Sequence, residues 1–87
     1  QWNRFNMYAV DKTEADKLRT LTISDEKAIG WLNEAVADDR GRIYADSDLN
    51  PRALLFVGGD GASYQFGTSR DGCFEEGQVL FFEELRG

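Results

Sequence analysis

The chain has no histidine, one cysteine, one proline and one methionine, and its 16 acids outnumber its 10 bases. Each shortage excludes something. Without histidine, the commonest general base and the commonest metal ligand are missing, which closes most routes to acid–base and nucleophilic catalysis. A lone Cys73 can neither form an intrachain disulfide nor supply a cysteine-rich zinc site, so no metal and no cofactor are expected. The net charge of −6 argues against direct binding of nucleic acid through a basic surface. No apolar run reaches the roughly 18 residues of a membrane span. The opening Gln1-Trp2-Asn3-Arg4-Phe5 lacks the apolar stretch of a signal peptide. A cytoplasmic protein that avoids membranes is therefore expected, with Met7 a candidate initiator and no function placed on residues 1–6.

What is present suffices for one folded unit. A hydrophobic content of 41%, with 2 Trp, 3 Tyr and 6 Phe, can build a core within 87 residues. That length fits a single small domain spanning 1–87. Residues 2–10 alternate as a strand, with Phe5, Met7 and Ala9 on one face. Thr13 is a candidate N-cap for a short helix over about 14–20, carrying Ala15, Leu18 and Leu21 at helical spacing. Ser24 then opens a longer helix over about 25–38, with the apolar stripe Ala28, Ile29, Leu32, Ala35 and Val36. Trp31 lies at its margin, Arg40 in its last turn, and Gly41 beyond it as a residue free to take positive φ.

From there the pattern turns to short strands: 42–45, the apolar run 52–57, 62–67 after the turn Gly58-Gly59-Asp60-Gly61, and 78–85. The order β-α-α-β-β-β-β predicts an α+β domain with a mostly antiparallel sheet and two helices on one face.

The motifs that suggest chemistry fail in detail. Asp46-x-Asp48-x-Asn50 begins like a calcium loop, but its sixth and twelfth positions hold Pro51 and Val57 where glycine and glutamate are required. The glycines at 58, 59 and 61 precede a strand rather than a phosphate-cradling helix. Cys73 has no histidine to activate it and is read as core. Adjacent acids such as Glu75-Glu76 and Glu83-Glu84 point to opposite faces of a strand, which separates them as catalytic partners. The expectation is a protein that is not an enzyme.

Charge is unevenly placed. Residues 1–45 hold 8 acids and 7 bases, a balance of −1, while 46–87 hold 8 acids and 3 bases, a balance of −5. Were the last strand to lie beside 73–77, its acids would form a negative ridge, with alternate side chains roughly 6.6 Å apart. Phe81 and Phe82 are consecutive, so at most one faces a one-sided core. An aromatic exposed among acids suits a protein-binding hot spot. The candidate partner-binding residues are accordingly Asp46, Asp48, Asp60, Asp71, Glu75, Glu76, Phe82, Glu83 and Glu84.

In size, acidity and lack of catalytic residues the whole chain resembles small phage-encoded inhibitors of bacterial defence, the anti-CRISPR and antirestriction proteins that mimic DNA. The resemblance carries no diagnostic motif and transfers no functional residue. It implies stoichiometric blockade of a basic nucleic-acid-binding site, a CRISPR–Cas component foremost, by a monomer or weak dimer. Two alternatives stand beside it: an immunity-type protein that neutralises a cognate toxin, and a structural or assembly subunit.

Overall fold

The computed structural model describes residues 7–47, 50–68 and 73–86. Four stretches are extended: β1 (Tyr8–Ala9), β2 (Arg42–Ala45), β3 (Ala53–Val57) and β4 (Ser63–Gly67). They pair antiparallel in the order β1-β2-β3-β4, with Tyr44 opposite Leu55 and Leu54 opposite Phe66. The helices are α1 (Ala15–Leu21), α2 (Glu26–Ala37) and α3 (Cys73–Arg86), with a single 3-10 turn over Lys12–Glu14 leading into α1. The α+β class and the antiparallel sheet agree with the sequence pattern. The last element does not.

The expected strand at 78–85 is the greater part of helix α3. Four consecutive apolar residues, Val79 to Phe82, satisfy a strand and a buried helix equally. The deciding pattern is wider. Phe74, Gly77 and Phe81, at spacings of three and four, are buried, whereas Glu75, Val79, Phe82 and Glu83 are exposed. Glu, Gln, Leu and Arg are also good helix formers.

This third helix places a layer where none was expected. Each strand alternates its side chains between two faces. Ile43, Ala45, Leu54 and Phe56 join Ala15 and Leu18 of α1 and Ala28, Leu32 and Ala35 of α2 in one core. On the opposite face Tyr44, Ala53, Leu55 and Val57 join Met7, Phe74 and Phe81. The sheet is thus sandwiched, and all five residues of β3 are buried. That is why β3 reads as an unbroken apolar run.

Several local expectations also change. Of the strand expected at 2–10, the described part forms a strand only at Tyr8–Ala9, with the Val10 amide adding one bond to the Ile43 carbonyl, and Ala9 is exposed although Met7 is buried. Asp11, rather than Thr13, caps the 3-10 turn by accepting from the Thr13 amide at 3.0 Å. The N-cap of α2 is Asp25 rather than Ser24, its carboxylate accepting from the amides of Lys27 and Ala28 at 3.0 and 3.1 Å. The helix ends at Ala37, so Arg40 lies outside its last turn, which contains no base. Gly41 does not take positive φ. Its role is close approach, since a Cβ there would fall 2.9 Å from the Ala35 Cα.

Tyr44 is buried beneath α3, its hydroxyl 3.4 Å from Glu84 Oε1. Burial pushes the phenol above its ordinary range, and the Glu84 carboxylate pushes in the same direction against an opposing effect of Arg42. An unfolded tyrosine ionises near pH ~10. The stability that buried Tyr44 contributes is therefore fully present below that pH and is lost as pH rises through the folded value. Thermal melts between about pH 9 and 11 are expected to fall more steeply for the native chain than for Tyr44→Phe. Equal slopes would show that Tyr44 ionises as freely folded as unfolded.

Candidate binding surface

The inner side of α3 is set by what it must fit. Gly77 lies over β3, where an added Cβ would be 2.6 Å from Leu55 Cδ2 and 3.0 Å from Met7 Sδ. The missing side chain lets the helix seat Phe74 and Phe81 in the core. With that side fixed, the helical period turns Glu75, Val79, Phe82, Glu83 and Arg86 outward. Val79 is 48% exposed, Phe82 51% and Leu85 56%, an unusual apolar content for a helix face in water. Phe82 is held edge-on against buried Phe81, with ring centroids 5.5 Å apart and planes at 73°.

The acids of α3 divide by use. Glu84 is committed to the fold: its Oε2 pairs with Arg42 Nε at 3.0 Å and its Oε1 accepts from Tyr44, tying the helix to β2. Glu76 is half-buried and engaged. Glu75 and Glu83 are exposed, and neither enters an ion pair among the described residues. Glu75 sits in the first turn, where a carboxylate complements the macrodipole. Glu83 sits in the last turn, where the dipole opposes it, so the fold gains nothing from its charge.

The other candidates lie apart. Asp46 accepts from the amides of Arg52 and Ala53 at 2.9 and 3.2 Å, closing the loop between β2 and β3. Asp60 accepts from the Ala62 amide at 3.0 Å within the turn between β3 and β4. Because these connections follow opposite ends of β3, Asp46 and Asp60 flank opposite ends of the sheet. Asp48 and Asp71 lie outside the described residues, as does the Cys73 side chain, so the reading of Cys73 as core does too. The ridge of acids on neighbouring strands is replaced by a helical face. Glu75 and Glu83 are about 12 Å apart along its axis, at 1.5 Å per residue, with Val79 and Phe82 between them. Glu75, Phe82 and Glu83 are the candidates the fold brings together.

No protein-family model, curated protein or solved structure matches this chain. Its chemistry must therefore be read from its own side chains. Among the described residues, no group of three or more His, Cys, Asp and Glu is placed to hold a metal ion, and no helix is long and apolar enough to cross a membrane.

A second feature escaped the sequence reading. Trp31 of α2 and Tyr64 of β4 stack with centroids 6.1 Å apart and planes 11° from parallel. The Tyr64 hydroxyl donates to Asp25 Oδ2 at 2.8 Å. The Ala28 amide first, then Tyr64, holds the Asp25 carboxyl below the usual range. Their pairing joins residues 33 positions apart and leaves no local signature.

Proposed function

We propose that the chain is a non-catalytic acidic binding module that blocks a basic, nucleic-acid-binding site of a bacterial defence protein, a CRISPR–Cas component foremost. The observation behind this reading is the outer face of α3, where exposed Val79 and Phe82 stand between Glu75 and Glu83. An apolar centre gives a partner something to bury, and flanking charge steers the encounter and sets its orientation. Such a face needs no turnover, cofactor or metal. The excess of acids over bases in residues 46–87 favours a basic partner. It acts as a monomer or weak dimer in the bacterial cytoplasm.

The test is to titrate the chain into purified guide-loaded Cas effectors and follow their binding of target DNA. Blockade complete near one equivalent at low salt, and weakened at high salt, is expected. Undiminished DNA binding across the effectors at a large excess of the chain would overturn the proposal.

A further inference from the structure

On the sheet face opposite α3, a groove of about 690 Å³ runs between α2 and the turn joining β3 to β4. From α2 it is lined by Lys27, Gly30, Trp31 and Glu34, at spacings that put all four on one side of the helix, and by Asp38 at the helix end. Asp60 lines it from the turn.

Three features shape this groove. Gly30 occupies the interior of α2, where glycine is a poor helix former, yet a Cβ there would meet nothing within 4 Å. No packing requires the glycine, and its effect is to leave the floor open. Trp31 lines the groove as a half-buried indole backed by Tyr64. Glu34, Asp38 and Asp60 concentrate negative charge at the C-terminal end of α2, which is already the negative end of its macrodipole. Lys12 Nζ reaches the Asp38 carbonyl at 2.6 Å, but no ion pair among the described residues engages any of the three carboxylates. The Asp38 carboxylate lies against the turn, a Cβ on Gly59 falling 2.7 Å from its Oδ2, while its Oδ1 accepts from the Arg40 amide at 2.9 Å. Lys27 is the single base in the lining, seven residues from Glu34.

We infer that this groove is a binding site for an arginine side chain of a basic polypeptide, separate from the outer face of α3. The guanidinium stacks on Trp31, over the space Gly30 leaves open, and directs its N–H donors to Glu34, Asp38 and Asp60. A flat, always-charged group with a fork of donors suits an indole flanked by carboxylates better than the compact ammonium of lysine.

The experiment uses the full chain labelled with ¹⁵N, titrated with the capped tripeptide Gly-Arg-Gly and, separately, with its neutral isostere Gly-citrulline-Gly and with Gly-Lys-Gly. Saturable shifts are expected at the Trp31 indole N–H and at the amides of Gly30, Gly59 and Asp60. Arginine should bind roughly tenfold or more tighter than citrulline, a margin that salt reduces, with lysine between them. Gly30→Leu is expected to abolish the shifts while raising the melting temperature, because it fills the floor and improves the helix. Glu34→Gln with Asp60→Asn should weaken binding while keeping the Asp60 turn acceptor. The inference is overturned if citrulline binds as well as arginine, if Gly30→Leu binds unchanged, or if the shifts map to α3 instead. Because the probe is a tripeptide, this result is independent of whether any Cas effector is blocked.

Discussion

Phe81→Ala is expected to leave the chain largely unfolded on mild warming, whereas Phe82→Ala, one residue on, lowers its melting temperature by only a few degrees. Phe81 is 1% exposed and packs with Phe74 among Tyr44, Leu55 and Val57 beneath α3. Truncating such a side chain costs about 3–5 kcal/mol, the lost transfer energy plus the cavity left behind. At roughly 0.05–0.15 kcal/mol per residue, a domain of this size has only about 4–13 kcal/mol in total. Phe82 is half in water, so its substitution should cost little beyond the edge-on contact with Phe81, about 0.5–1.5 kcal/mol. Thermal melts followed by far-ultraviolet circular dichroism check both variants. Comparable losses at the two positions would mean that α3 is not seated as described.

Reversing two charges is expected to do the converse, sparing the fold and removing the binding. Glu75→Lys with Glu83→Lys should weaken the proposed blockade by about 100-fold at low salt, since truncating or inverting charges in a complementary interface costs kilocalories. The difference should narrow as salt rises. Both residues are exposed and their side chains enter no ion pair among the described residues, so folding should survive. The dipole penalty of lysine in the first turn of α3 is offset by its benefit in the last. Titration of the variant against DNA binding by an inhibited effector, with a melt of the same sample, measures both effects. Unchanged inhibition by a folded variant would remove the α3 face from the interface.

How far these features could be read in advance depended on the range of each signal. The α2 helix and the β3 run are local patterns, and both appear close to their expected bounds, although Val36 of the α2 stripe is exposed. The pattern of α3 is not legible locally because Val79 to Phe82 fits helix and strand alike. The evidence against a strand lay in the Phe74, Gly77, Phe81 spacing, with Gly77 resembling a break rather than a contact point. The consecutive phenylalanines were correctly divided into one buried and one exposed, because a step of one residue changes the direction of a side chain in helix and strand alike. The acid set was less legible. Asp46, Asp60 and Glu84 serve amides or Arg42, and such partners depend on tertiary placement. The Trp31 groove was invisible for the same reason, since its wall comes from a distant turn.

The central claim is that the outward face of α3 meets a basic partner. Its most direct test is transverse-relaxation-optimised NMR of the ¹⁵N-labelled, deuterated chain bound to an effector whose DNA binding it blocks, with saturation transferred from the effector. Transfer concentrated on Glu75, Val79, Phe82, Glu83 and Arg86 is the expected result. Transfer concentrated on α1 and α2, with α3 unaffected, would contradict the account.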